Sequence, residues 1–169
     1  MTILGIDPGY AIVGYGALRY EAGRFRVLDY GAVRTDAGQD FCDRLLFIHT
    51  QTAALIDRWR PGALGVEQLF FNTNSTTAIG VAEARGCILL SAAQAGVAVC
   101  EYTPLQVKQA VTGYGKADKL QMQEMVRLLL GLKEIPKPDD TADALAVAIC
   151  CAHSGAGMRG QASGIRQGI

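Results

Sequence analysis

The segment TILGIDPG, residues 2–9, is the natural starting point for interpreting this chain. Its short apolar run before Pro8-Gly9 predicts a buried β-strand that ends abruptly. Asp7 is the last residue of that strand, and an ionised carboxylate there is costly unless it is paired or binds a cation. Ligand sites in open α/β sheets favour strand ends, which makes Asp7 a candidate functional residue. The alternative is an Asp that only begins a turn.

The length of 169 residues predicts one domain with a substantial core. No apolar run reaches membrane-spanning length, and no basic segment precedes an apolar one, so we expect a cytoplasmic protein with no membrane partner. The sequence from Ser154 onwards is rich in Gly, Ser and Gln, which is typical of disorder. We therefore predict a folded domain over residues 1–153 and a disordered tail over residues 154–169.

The charged and metal-ligating residues exclude several classes of protein. The five cysteines (Cys42, Cys87, Cys100, Cys150 and Cys151) form no zinc or disulfide pattern, and we expect them to be small core residues. The 16 basic and 16 acidic residues balance, which weakens the case for a nucleic-acid partner. If four of the acids bind metal ions, however, the remaining surface carries sixteen basic against twelve acidic residues.

The first half of the chain contains a second strand that ends in a carboxylate. Residues 11–20 and 24–30 are rich in β-formers around a short Gly-containing connection, which predicts a β-hairpin. Residues 40–59 have helical spacing and end at Pro61-Gly62. The apolar strand Ala63–Val66 follows, and Glu67 comes directly after it. A turn-forming role could explain one acid at the end of a buried strand. It explains less well two acids that each end a buried strand.

The sequence of the middle of the chain predicts an unusually apolar helix and a small basic patch. The helix from about residue 75 to 95 is apolar almost all round, so it needs cover on more than one face. A second subunit or another helix of the same chain could supply that cover. Beyond a fifth strand, Thr103-Pro104 begins a helix. Lys108, Lys116 and Lys119 lie near helix ends and form a modest positive patch suited to a phosphate backbone.

Two further stretches carry candidate functional residues. Phe70 and Phe71 are adjacent in an extended segment, so they cannot both point inward, and an exposed ring could stack on bases. In the last predicted helix, residues 139–149, Asp143 shares a face with Asp140 and almost as well with Asp139. The spacing does not choose between them, and the helix dipole alone would also favour acids in the first turn.

These motifs together resemble the RuvC family of Holliday-junction resolvases, which have a ribonuclease-H-like fold. The matching segments span most of the chain up to about residue 150: GIDPG (5–9), VEQ (66–68), ARG (84–86), QVKQ (106–109) and DTADALA (140–146). The resemblance implies an α/β fold with a five-stranded mixed sheet, its first three strands antiparallel, flanked by helices. Residues 1–153 would then form the nuclease domain.

The resemblance implies a role for each candidate. It makes Asp7, Glu67, Asp140 and Asp143 the catalytic acids and metal ligands, with Asp140 preferred to Asp139, and it places Lys119 near the scissile phosphate. We expect DNA contacts from Phe70, Phe71, Asn72, Arg85, Lys108, Lys116 and Lys119. Four carboxylates suit two Mg²⁺ ions per active site, with Mn²⁺ able to substitute.

The implied function is paired, metal-dependent cleavage of four-way junction DNA by a homodimer, leaving 5′-phosphate and 3′-hydroxyl ends, with RuvA and RuvB as partners. Three rival interpretations compete with it. A sugar-kinase or actin-like ATPase begins similarly but needs two lobes and a second phosphate loop. A non-catalytic binder of branched DNA would tolerate loss of the acids. A nuclease of the same fold that acts on RNA or on damaged DNA would share them.

Overall fold

A computed structural model of the chain describes residues 1–69 and 75–155, with the backbone alone for residues 75–77. The described residues form five strands and five helices. In chain order they are β1 (Thr2–Asp7), β2 (Ile12–Glu21), β3 (Arg24–Arg34), α1 (Phe41–Trp59), β4 (Ala63–Glu67), α2 (Ser75–Gln94), β5 (Ala98–Tyr102), α3 (Pro104–Thr112), α4 (Lys119–Leu130) and α5 (Asp139–His153).

The five strands form one mixed sheet in the order β3-β2-β1-β4-β5. β1, β2 and β3 are antiparallel neighbours, and β1, β4 and β5 run parallel. The parallel crossovers pass through helices, as parallel connections require. The predicted α/β fold, with a five-stranded mixed sheet whose first three strands are antiparallel, is therefore confirmed.

The sheet separates two hydrophobic clusters, one on each face. Along β1 the side chains alternate, so Ile3 joins the cluster under α3, α4 and α5, whereas Leu4 and Ile6 join the cluster under α1 and α2. Ala63 and Leu64 divide in the same way along β4. This alternation continues to the strand ends and determines which face carries their acids.

The helix α5 lies unusually close to the sheet because glycines line the strands beneath it. Gly5 pairs with Gly16 on one side and with Gly65 on the other. A Cβ at Gly5 would lie 2.2 Å from the Ala144 carbonyl oxygen, so only glycine permits this approach. The helix is buried from Thr141 to Ala152 except at Asp143, and its first turn is held at the end of the sheet where β1 and β4 finish.

Several sequence-based expectations need correction or fall outside the described residues. The third strand is longer than expected and continues to Arg34. Cys150 and Cys151 are buried, but Cys42 is exposed, so its assignment to the core was wrong. Phe70, Phe71 and Asn72 lie outside the described residues, as do residues 156–169 of the predicted tail. Ser154, the first residue of that tail, accepts or donates a 2.7 Å hydrogen bond with the Tyr102 hydroxyl.

Within residues 1–69 and 75–155, no helix combines the length and apolarity needed to cross a membrane.

Candidate active site

The ends of β1 and β4 bring two carboxylates together on one face of the sheet. Ile6 pairs with Val66 in the parallel register, so the next residues, Asp7 and Glu67, end neighbouring strands about 5 Å apart. Because side chains alternate along each strand, both acids point to the same face as Ile3, the face covered by α5. Each was predicted at a strand end, and the parallel pairing places the two side by side.

The first turn of α5 lies against the same strand ends. Gly14 pairs with Asp7 across β1 and β2, and a Cβ at Gly14 would lie 1.9 Å from the carbonyl oxygen of Asp140. The absence of a side chain at Gly14 therefore lets the start of α5 reach Asp7. Asp143 follows one turn later and is the only partly exposed residue between Thr141 and Ala152. The structure thus gathers the four predicted acids at one end of the sheet.

The charges of these acids act on one another. Burial, followed by the negative charges of Asp143, Glu67 and Asp140, raises the pKa of Asp7 to about 7. Burial and then the charge of Asp143 raise the pKa of Glu67, and burial is the main cause that raises the pKa of Asp143. Without a counter-ion, the carboxyls of Asp7, Glu67 and Asp143 therefore resist full ionisation.

The structure distinguishes Asp140 from Asp139, which the spacing could not do. Asp140 adds to the negative potential that raises the pKa of Asp7. Asp139 instead forms ion pairs with Lys119 (3.0 Å) and Lys137 (2.9 Å). Those hydrogen bonds, Lys137 first, hold the pKa of Asp139 below its usual range. The charge of Asp140, and not that of Asp139, therefore acts on Asp7, although both act on Asp143.

Two of the three predicted lysines border the acids. Lys119 lies 3.9 Å from Asp143, and the charge of Lys108 lowers the pKa of Glu67. Both lysines, with Glu67 and Asp143, line a cavity of about 240 Å³ whose apolar wall includes Met122. The third lysine, Lys116, is exposed on the segment before α4 and does not line this cavity. A cavity lined by both cations and acids suits a phosphodiester.

The donor set fits divalent metal ions, although the side chains do not converge as ligands. Among the described residues, no group of three or more His, Cys, Asp or Glu side chains is placed to hold one ion. After burial, the negative charges of the neighbouring acids raise the pKa of Asp7, so these carboxylates repel one another. Their oxygens are the hard ligands that Mg²⁺ and Mn²⁺ prefer, and a divalent cation would neutralise the repulsion.

Arg85 occupies a different environment from the one expected of a DNA contact. Its side chain is only 16% exposed, and its guanidinium pairs with Glu101 of β5. Its Nε also donates a 3.4 Å hydrogen bond to the carbonyl oxygen of Glu67. These contacts tie α2 to the ends of β4 and β5, so Arg85 supports the strand that carries Glu67. Its predicted DNA contact stays a prediction.

Sequence reasoning missed two features of the site. Gly14 was not singled out, although alternating glycines in β2 (Gly14 and Gly16) are a signal that a backbone approaches closely. The ion pair between Asp139 and Lys119 joins the starts of α4 and α5. No local sequence pattern signals that pair, because it depends on how the two helices meet.

These features together define a class of protein. A mixed sheet with acids at the ends of two central parallel strands, and more acids on a helix packed across them, is the arrangement of ribonuclease-H-like enzymes. The sequence resemblance led to the same class, and the comparisons with known proteins place the chain within it.

The comparisons agree on one family. The sequence model of the family described as "Crossover junction endodeoxyribonuclease RuvC" matches residues 3–151. A relative with that description from Heliobacterium modesticaldum is 61% identical over 154 residues, which cover 91% of this chain and 95% of the relative. The solved structure of Thermus thermophilus RuvC has a TM-score of 0.84 at 38% identity and covers 93% of this chain and 97% of that one.

A second structure, T. thermophilus RuvC in complex with a Holliday junction substrate, has the same TM-score of 0.84 at 36% identity, with coverage of 93% and 97%. The chain belongs to the RuvC family of crossover junction endodeoxyribonucleases.

Proposed function

We propose that the chain is a structure-selective endonuclease that resolves four-way (Holliday) DNA junctions in recombination and repair. The observation that carries this proposal is the group of acids at the ends of β1 and β4 and the start of α5, where burial and the charges of the neighbouring acids raise the pKa of Asp7. Membership of the RuvC family supports the same activity, as does the neighbour that is bound to a Holliday junction substrate.

The acids Asp7, Glu67, Asp140 and Asp143 would hold two Mg²⁺ ions, with Mn²⁺ able to substitute. Bound there, the ions would supply water activation and stabilisation of the leaving oxygen in an in-line displacement. The protein itself contributes the position and ionised state of its carboxylates and an ammonium at Lys119 that offsets charge on the phosphate. The products are a 5′-phosphate and a 3′-hydroxyl at each nick.

The proposed DNA contacts surround this centre. Lys108 and Lys119 line the cavity beside the acids, and Lys116 is exposed before α4, so the three can contact successive phosphates. Phe70, Phe71 and Asn72 follow β4 in the chain after Gln68 and Leu69, and we propose that they act at the junction itself. Arg85 would act on DNA indirectly, through the segment that begins after Glu67.

We propose that two copies of the chain act together. Ala84, Ile88 and Ala92 of α2 are fully buried against the rest of the chain. On the other side, Ile79 and Leu90 are 66% and 51% exposed. A four-way junction needs two symmetric cuts, which a two-fold dimer supplies naturally. The further partners we propose are RuvA and RuvB, and the proposed location is the cytoplasm, where these partners and bacterial chromosomal DNA are found.

A comparison of substrates tests this function against that of other nucleases of the same fold. We expect cleavage of a four-way junction to exceed that of linear duplex DNA and of an RNA–DNA hybrid at equal protein concentration and in the presence of Mg²⁺. Preferential cutting of the hybrid or of damaged duplex would contradict the proposal. An ATPase assay should show no turnover.

A further inference from the structure

Asp139 binds two lysines, one through each carboxylate oxygen. Lys137 Nζ donates to Oδ1 at 2.9 Å, and Lys119 Nζ lies 3.0 Å from Oδ2. The same Lys119 nitrogen is 3.9 Å from Oδ2 of Asp143. Asp139 therefore stands outside the acids that share the site of Asp7, but it touches the cation that borders them.

This arrangement restrains a side chain that would otherwise be free to move. Lys119 is 60% exposed, and a lysine stem has several rotatable bonds and considerable conformational entropy. Asp139 begins α5 and Lys119 begins α4, so their ion pair joins the starts of two helices. Lys137 occupies the other oxygen of Asp139 and fixes the carboxylate with Oδ2 towards Lys119.

We propose that Asp139 is a positioning residue for Lys119: its carboxylate holds the lysine ammonium at the edge of the cavity beside Asp143, where a scissile phosphate would lie. The inference rests on the proposed function, because Lys119 needs an accurate position only if it acts on a phosphate. An exposed ion pair contributes little to stability. We therefore expect loss of the Asp139–Lys119 pair to change the rate of cleavage rather than the stability of the fold.

If the inference is right, loss of Asp139 changes the rate of cleavage and the affinity for the junction in different ways. Without Asp139, Lys119 is held only by the longer contact to Asp143 and loses its fixed position. Misplacing a group by about 1 Å can cost ~10²-fold in rate, and we expect Asp139→Ala to lower the single-turnover rate about 10-fold. The same substitution removes a negative charge near DNA, so junction affinity stays equal or increases. A folding defect would instead lower both the rate of cleavage and the affinity for the junction.

A double-mutant cycle tests the inference. Single-turnover cleavage of a four-way junction is measured for the wild type, Asp139→Ala, Lys119→Ala and the double variant, with junction affinity measured separately in Ca²⁺. We expect the double variant to cleave at the rate of Lys119→Ala alone, because Asp139 acts only through Lys119. Asp57→Ala is the matched control, since Asp57 forms a similar exposed pair with Arg60 (2.5 Å), and it should cleave like the wild type.

Two results would overturn the inference while leaving the proposed function intact: a wild-type rate for Asp139→Ala, or losses that multiply in the double variant. A rate that rises in Asp139→Ala would show competition between Asp139 and phosphate for Lys119, and it too would overturn the inference. A wild-type protein that cleaves no junction would overturn the proposed function and the inference with it.

Discussion

The negative charge of Asp7 is unfavourable in its surroundings unless a bound cation or a proton offsets it. It is half-buried beside three other acids, and burial and their charges raise its pKa to about 7. A side chain selected for stability alone would not be charged in that position. The arrangement is the usual sign of a functional site, where pKa values are shifted by burial and by like charges.

Replacement of this one charge should separate cleavage from binding. We predict that Asp7→Asn abolishes junction cleavage, because an amide is a poor ligand for a hard cation and cannot replace the carboxylate. Junction binding should persist, since the basic residues are unchanged. Gel-shift assays in Ca²⁺ and cleavage assays in Mg²⁺ measure the two properties. Retained cleavage by a preparation free of wild-type protein would contradict the role of Asp7.

The raised pKa also predicts how stability depends on pH in metal-free protein. The folded state binds a proton at Asp7 up to a pH of about 7, whereas the unfolded chain releases it near pH 4. The free energy of unfolding should therefore fall as the pH rises from 4 to 7, by as much as ~4 kcal/mol from this group. Urea unfolding in EDTA at pH 5 and pH 8 measures the difference.

The control for this pH effect is Asp7→Asn, which has no group to titrate. It should show a weaker pH dependence and be more stable than the wild type at pH 8. Added Mn²⁺ should stabilise the wild type much more than this variant. Equal responses to Mn²⁺ would indicate that Asp7 is not a ligand.

At the scale of single residues, much of the candidate site could be predicted from the sequence. Asp7 and Glu67 were recognisable because each follows a short apolar strand, and Asp143 because the helix dipole explains it poorly. Asp139 and Asp140 could not be separated by spacing, since their difference is a matter of partners: Asp139 meets Lys119 and Lys137. Such contacts depend on tertiary packing and leave no local pattern.

At the scale of elements, the site depends on how closely α5 approaches the sheet. The glycines under α5 allow backbone contact at Gly5 and at Gly14. The strand and helix order was predictable from apolar runs, caps and breakers. The closeness of the contact was not, because it depends on which glycines face the helix. The register of the strands determines which glycines face the helix.

Gly14→Ala should therefore impair the site more than the fold. A methyl group at Gly14 would collide with the Asp140 backbone, which cannot rotate away, so α5 must shift and Asp140 with it. We predict a loss of cleavage of ~10²-fold and weaker Mn²⁺ binding by calorimetry. Circular dichroism should still report a folded protein.

The matched control is Gly16→Ala, two residues along the same face of β2. Its new methyl group meets the Leu145 side chain, with Cδ2 2.6 Å and Cγ 2.9 Å away, whereas the nearest backbone atom, Leu145 Cα, is 3.2 Å away, so repacking of one side chain can absorb most of the clash. It should cost ~1–3 kcal/mol of stability and leave the rate of cleavage within a few-fold of the wild type. Equal rates for the two variants would show that Gly14 has no special part in positioning Asp140.

At the scale of the whole molecule, the outer face of α2 is the surface on which we expect a second copy. The exposed positions Ile79, Glu83, Gly86 and Leu90 fall on one stripe at helical spacing. A Cβ at Gly86 would have open space around it, which leaves room for a second helix to come close. The apolar character of α2, predicted from sequence, thus divides into a side covered by this chain and a side left exposed.

A charge on this stripe should break the dimer. We predict that Leu90→Glu is monomeric by size-exclusion chromatography with light scattering, whereas the wild type is a dimer. Leu128→Glu is the matched control, because Leu128 is similarly exposed (59%) but lies on α4. A Leu90→Glu protein that stays dimeric would exclude this stripe as the interface.

The most direct test of the central claim is cleavage of an end-labelled, immobile four-way junction in Mg²⁺, with linear duplex as the comparison. The account predicts two symmetric nicks in strands of the same polarity, which a ligase can seal because they carry 5′-phosphate and 3′-hydroxyl ends. Asp7→Asn should bind the junction without cutting it. Binding without cleavage by the wild type, across several junction sequences and with either Mg²⁺ or Mn²⁺, would contradict the account.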